Sequence, residues 1–301
     1  MTDVETLVPR ETPPDRPAKT VKRRNGWQVV WSNGKARTGI VILALFVAVA
    51  VCAPVIAPFD PKNSTLPAGL QPGGAYLLGT TNLGQDIFSQ LVYGAQVSLI
   101  VGLLAGVVVT MIALVIGLVA GLLQGVVDEI LSFSINLALV VPALPLMVTI
   151  AAYSPVHGLS LIIFVIALTG WAWGARMKRA QVLLLRSQDF VTAARFSGDG
   201  LWRIVFRELV PNMVSLVVAG FMGAAIGAIG AEAGLSFLGL GDPTTVSWGS
   251  MSYWANSNGA MLTGQWAWLL APGLALSLLI TALTLINFGI DALSNPQLRE
   301  E

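Results

Sequence analysis

From Leu131 to Gly174 the chain has no Asp, Glu, Lys or Arg. A soluble domain cannot easily leave such a run uncharged, because the outer face of each element needs polar residues. The run is also too long for one membrane crossing, which takes about 20 residues as a helix. Ser154, Pro155, His157 and Gly158 divide it into two spans, near 130–152 and 158–174. Pro142 and Pro145 are expected to kink the first of these. Thr38 to Phe59 is a second charge-free run of 22 residues, enough to cross about 30 Å of hydrocarbon. Further apolar runs cover Val97–Leu123, about Met213–Leu238 and about Gln265–Phe288. With 55% hydrophobic and 11% charged residues, the expectation is an all-α membrane protein with six transmembrane helices.

The layout follows from these runs. Residues 1–37 form a polar N-terminal tail, expected to be disordered in its first part. Trp27 to Trp31 are expected at the membrane surface. Residues 38–59 are the first span and 60–96 a polar connection rich in Gly and Pro. Residues 97–292 hold five more spans and the polar segment 187–212, and 293–301 form a tail. Eight of the seventeen Lys and Arg lie in the N-terminal tail and seven in the loop at 175–211. Arg299 is in the C-terminal tail, and only Lys62 falls on the other side. The positive-inside rule therefore places both termini and the 187–212 segment in the cytoplasm.

The same residues exclude several functions. One cysteine, Cys52, and one histidine, His157, cannot build a disulfide, a multi-thiolate metal site or an HExxH centre. Cys52 is expected to be a buried apolar residue, and His157 to sit in an exterior turn. The apolar run around Cys52 is too long for a cleaved signal peptide. Val51 stands where a lipoprotein signal needs a small residue. The only Gly-Lys pair, Gly34-Lys35, lacks the rest of a phosphate-binding loop, so no ATP site is expected in this chain. Gly239-Leu240-Gly241-Asp242 spells the GxGD of intramembrane aspartyl proteases. That chemistry needs a second aspartate facing the first, and Asp291 lies at the opposite membrane face. With a net charge of +1, no field favours nucleic acid.

Glu232 lies in an otherwise apolar, Gly-rich span. Intramembrane acids face a cavity or a partner, so Glu232 either works at a gate or hydrogen-bonds a neighbouring helix. Gly227 and Ser236 in the same span are further candidates for a pathway. Gly102, Gly106, Gly117, Gly121 and Gly125 recur at spacings of four within two groups. That pattern either permits close helix approach or is generic membrane-helix filler.

Ser187 to Asn212 is polar and basic between apolar spans. Asp189–Phe196 reads as a short helix with Ala193 and Ala194, interrupted by Gly198 and Gly200. A second helix starts at Leu201, with Leu201, Ile204, Val205 and Leu209 on one face and Arg203 and Arg207 on another. Pro211 then opens the next span. Such a helix–turn–helix can press a small-residue surface onto another protein.

This segment resembles the cytoplasmic EAA loop of ABC-importer permeases, which docks on the ATPase subunit. The family pattern is Glu-Ala-Ala, three residues, Gly, and then a hydrophobic-Pro ending. Here it reads Thr192-Ala193-Ala194, Gly198 and Leu209-Val210-Pro211. Thr192 stands where Glu is usual, and Glu208 where His is common in the peptide-transporter branch. Three other stretches resemble the C-type permease subunit of dipeptide, oligopeptide and nickel importers. They are Ala53–Pro61 (APVIAPFDP), Leu78–Ser89 (LGTTNLGQDIFS), and Ala231–Gly241 (AEAGLSFLGLG) followed by Ser247-Trp248-Gly249. The GxGD match is part of the last.

The resemblance implies a type I ABC-importer permease fold and residence in the bacterial inner membrane. It implies pairing with a second permease, docking on ATPase subunits that bind ATP and Mg, and delivery of substrate by an extracytoplasmic solute-binding protein. The chain itself would be no enzyme and hold no cofactor or metal. Thr192, Ala193, Ala194, Gly198, Glu208 and Pro211 would form the coupling contact, and the cargo would be a di- or oligopeptide. Nickel, glutathione and haem importers share this architecture. A stand-alone secondary transporter is the competing class, and it leaves the 187–212 segment without a role.

Overall fold

The computed structural model describes residues 33–242 and 244–294. The expectations for residues 1–32, including Trp27–Trp31, for Pro243 and for 295–301, including Arg299, lie outside the described residues. Within them every regular element is a helix, accompanied by two isolated β-bridges.

The helices are α1 (Gly34–Val51), α2 (Ala53–Ile56), α3 (Ile87–Leu122), α4 (Val126–Val140), α5 (Ala143–Tyr153) and α6 (Leu159–Leu185). Next come α7 (Asp189–Phe196), α8 (Leu201–Arg203), a π-helical stretch (Ile204–Leu209) and α9 (Val210–Asn212). The last are α10 (Val214–Phe237), α11 (Trp248–Ser257) and α12 (Trp266–Ser294). Five of these, α1, α3, α6, α10 and α12, are long and apolar enough to cross a membrane. The α4–α5 pair makes a sixth crossing when counted as one span, bent by 84° at its break. Pro142 sits at that break as the N-cap of α5. It removes a backbone donor, and the chain turns instead of continuing.

Several boundaries differ from the apolar runs. α3 begins at Ile87, ten residues before Val97, because Ser89, Gln90 and Gly94 of its first turns are buried. Asp86 caps it, its carboxylate accepting from the Ser89 backbone N–H at 2.8 Å and from the Ser89 hydroxyl at 2.6 Å. α6 continues past Gly174 to Leu185. Asp128 and Glu129 lie in the first turn of α4. That placement suits acids at a helix N-terminus. The loop after α10 contains α11, opened by a reciprocal Ser247–Ser250 capping box. Cys52 is exposed, not buried. On a lipid-facing helix the outer surface is itself apolar, so apolar character does not report internal burial.

Glycine sets the helix packing. Added Cβ atoms at Gly117 and Gly121 would lie 2.8 Å from Lys178 Cβ and 2.6 Å from Val182 Cγ1 of α6, and at Gly106 3.2 Å from Ala225 of α10. α3 therefore runs parallel to α6 and antiparallel to α10. Of the two readings of this spacing, close approach holds for Gly102, Gly106, Gly117 and Gly121. It does not hold for Gly125, which meets nothing and serves as the N-cap of α4 at φ +79°. α12 lies antiparallel on α1, with Gly289 against Ala36 and Gly39 against Ile286. The start of α1 and the end of α12 thus share the end of the bundle that carries 187–212.

At that end Arg179 of α6 clamps Asp128 of α4 with two parallel bonds of 2.6 and 2.7 Å, and Ser132 donates to the same carboxylate at 2.9 Å. A bidentate pair fixes both distance and rotation between helices. Asp128→Ala strands the guanidinium and lowers stability by about 1–3 kcal/mol. Arg179→Lys loses less, because charge is kept while the fork is lost. Thermal unfolding of the detergent-purified protein reads both, and an unchanged melt for Asp128→Ala contradicts the clamp.

Candidate functional site

The 187–212 segment has one packed and one free side. Val191, Ile204, Val205, Leu209 and Met213 are buried against Leu118 of α3 and Val182 of α6. This matches the apolar face read from the sequence, except that Leu201 is 48% exposed. Leu201 is the first residue of α8, directly after its N-cap Gly200, at the end of the packed face. Ile204–Leu209 is π-helical, a geometry that recurs at functional sites.

Between α7 and α8 the chain reverses direction through a Schellman turn. The Asp199 N–H donates to Ala194 O at 3.0 Å and the Gly198 N–H to Arg195 O at 3.0 Å. Gly198 has φ +82°, the left-handed conformation this cap requires. Asp199 then pairs with Arg203 at 3.0 Å, one turn on.

The free side holds Thr192, Ala193, Gly198 and Pro211, all exposed. Ala194 and Glu208 are half-buried. The Thr192 hydroxyl donates back to Gln188 O at 3.2 Å, so it is engaged within its own helix. Asn212 Nδ2 donates to the Glu208 backbone carbonyl at 2.6 Å. Residue patterning missed the aromatic side chains on this segment. Phe196 is 88% exposed, and Trp202 and Phe206 stack on each other with centroids 5.9 Å apart. The available signal was the i, i+4 spacing of Trp202 and Phe206, off the apolar face. An exposed aromatic cluster of this kind marks an interaction surface.

The three pathway candidates do not share one surface. Glu232 is 1% and Ser236 3% exposed, and the Ser236 hydroxyl donates to Glu232 Oε1 at 2.8 Å. They lie on the side of α10 that α11 covers. An added Cβ at Gly249 of α11 would lie 2.7 Å from Ser236 Cβ. Gly227 is exposed instead. Cβ atoms added at Gly223, Gly227, Gly230 and Gly234 would meet nothing within 4 Å. At 3.6 residues per turn these four lie within an arc of about 60°, so α10 presents one open, glycine-lined face.

At the far end of the bundle, Leu78–Ser89 forms a tight turn system. The Thr80 hydroxyl donates to Pro67 O at 2.6 Å, and Gln265 Nε2 donates to Asn82 Oδ1 at 2.7 Å. Trp248 is buried beneath it and donates through Nε1 to Leu91 O at 2.9 Å. No group of three or more potential metal ligands occurs among the described residues.

Comparison with known proteins agrees with this architecture. Residues 113–300 match the family described as binding-protein-dependent transport system inner membrane component. Residues 24–72 match the N-terminal TM domain of oligopeptide transport permease C. The chain is 32% identical over 294 residues to the dipeptide transport system permease protein DppC of Bacillus subtilis (strain 168), covering 95% of this chain and 91% of that protein. It is 33% identical over 282 residues to the di/tripeptide transport system permease protein DppC of Pseudomonas aeruginosa (strain UCBPP-PA14), covering 91% of each. Its fold is similar to that in a structure of inward-facing conformations of the MetNI methionine ABC transporter. The TM-score is 0.55 and the identity 21%, over 68% of this chain and 94% of the matched one. A polytopic helical bundle with these motifs, matched over most of its length, belongs to the family of binding-protein-dependent transport system inner membrane components.

Proposed function

We propose that this chain is a permease subunit of an ATP-driven importer for di- and oligopeptides, coupled to separate ATPase subunits through residues 187–212. The observation that carries this reading is the segment itself. Its underside is packed on the ends of α3 and α6, while Thr192, Ala193, Gly198 and Pro211 remain on the surface. A stiff element anchored to two spans transmits a push from below to the whole bundle. Ala193 and Ala194 give the ATPase a close approach, and Trp202 and Phe206 add apolar area. Glu208 and Pro211 hold the second helix at the entrance to α10. Seven of the seventeen Lys and Arg lie in the loop at 175–211 and only Lys62 in the 60–96 connection, a distribution that supports a cytoplasmic location for the segment and both termini, with residues 60–96 outside.

In this reading the open glycine face of α10, with Gly227 at its centre, lines the path or meets the second permease. Glu232 and Ser236 keep α11 fixed to the outer half of α10. A solute-binding protein delivers peptide to that outer end. ATP and Mg are bound by the partner ATPases. The dipeptide and di/tripeptide permeases that this chain resembles support the peptide assignment.

The test is uptake of radiolabelled peptide by proteoliposomes containing the purified complex and loaded binding protein. Uptake is expected to require ATP and to survive collapse of ion gradients. Uptake driven by a gradient without ATP contradicts the proposal.

A further inference from the structure

Lys178 is the one charged side chain of α6 that is turned into the protein. It is 2% exposed, and it makes no hydrogen bond or ion pair among the described residues. The nearby cations are engaged: Arg176 of α6 with Asn136, Arg179 of α6 with Asp128, and Arg186, the C-cap of α6, with the Gly121 carbonyl. Asp128 is already held by two bonds from Arg179. An ammonium without a counter-charge inside a membrane protein is costly, and such a residue calls for a named partner.

The direction of the side chain says where that partner comes from. A lysine about 10 Å from a helix end ordinarily snorkels toward the nearer interface. Lys178 does the opposite. Its Cβ packs on Gly117 of α3, and its Nζ reaches back toward Gly174, one turn deeper into the bundle. Nζ lies 3.3 Å from the Cβ position of Gly174 and 3.2 Å from that of Gly220 on α10. Both glycines are half-buried, so no side chain of theirs stands between the ammonium and the space beyond them. On α10, Gly220 lies within about 80° of Gly223, Gly227, Gly230 and Gly234 at helical spacing. The ammonium thus lies at the inner end of the unobstructed glycine face.

We infer that Lys178 is a binding point for the C-terminal carboxylate of the transported peptide, at the cytoplasmic end of the face formed by Gly220–Gly234 of α10. The inference rests on the transport reading above, with the glycine face of α10 lining the path. The glycine face has no polar side chain of its own along those positions, so a carboxylate moving along it first meets a fixed positive charge at Lys178. One charge-assisted hydrogen bond there holds the peptide without trapping it, as passage requires.

The experiment compares a tripeptide with its C-terminal amide, chosen so that both load the binding protein, in proteoliposomes containing the complete complex with ATP. The wild type is expected to transport the acid about tenfold faster than the amide, the worth of one hydrogen bond to a charged group. Lys178→Met, of similar length and apolar, lowers the acid to the rate of the amide and leaves the amide unchanged. Lys178→Arg restores the preference. An acid rate unaffected by Lys178→Met overturns the inference. So does an equal loss for both peptides, which would mean that Lys178 serves packing or pairs with a carboxylate of the second permease. Both of those results leave the transport reading intact. Absence of ATP-driven peptide uptake by the wild-type complex overturns that reading and this inference together.

Discussion

Gly198→Leu is expected to leave this protein in the membrane at its normal level while uncoupling ATP hydrolysis from uptake. Gly198 closes the Schellman turn between α7 and α8 at φ +82°. A side chain there costs about 1–2 kcal/mol in backbone strain. It meets no neighbour, since an added Cβ has open space around it. The helical bundle therefore feels no clash. The strain is relieved by changing the angle between α7 and the helix beginning at Leu201, which under the proposed coupling role sets the surface offered to the ATPase. Uptake is expected to fall tenfold or more, on the order of 1.4 kcal/mol of lost coupling, with hydrolysis retained. Gly198→Asn, which tolerates the left-handed region, should keep part of the transport. The ratio of peptide imported to ATP hydrolysed is the readout. A normally expressed Gly198→Leu protein with wild-type transport contradicts the coupling role.

Gly117→Leu has a larger effect, on the fold itself. Its Cβ would lie 2.8 Å from Lys178 Cβ and 2.9 Å from the Ala175 carbonyl. A leucine there forces α3 and α6 apart, at about 3 kcal/mol or more. Loss of monodisperse protein after detergent extraction is the expected result. Gly227→Leu provides the contrast. Nothing lies within 4 Å of its added Cβ, so the isolated chain should fold normally while the assembled transporter loses activity. Equal extraction yields for the two variants would show that these glycines do not differ as the packing indicates.

Much of this could be read from residues alone, and the failures have physical causes. Charge-free runs located the spans, because lipid excludes charge. They misplaced the ends of α3 and α6, because helices extend beyond the hydrocarbon wherever protein covers them. Ser89 and Gln90 are buried by the 60–86 connection, and Arg179 is paired with Asp128. Spacing found the α7 helix and its glycine turn, since both are local. It could not show that Ile204–Leu209 is π-helical, which depends on how Val205 and Leu209 bury against the spans. Spacing alone puts Gly227 about 140° or more around α10 from Glu232 and Ser236, without saying which side is covered. Only the position of α11 tells which side of α10 is covered. Lys178 was counted with the cytoplasmic cations, and its inward aim follows from the glycines at 117, 174 and 220.

An importer permease is defined by what accompanies it in its membrane. Affinity purification in mild detergent, followed by mass spectrometry and stoichiometry, is the measurement. A second permease and P-loop ATPases in stoichiometric amounts, with a solute-binding protein under transport conditions, is the predicted result. Recovery of this chain alone, with gradient-driven uptake after reconstitution, would contradict it and make the 187–212 segment something other than a docking surface.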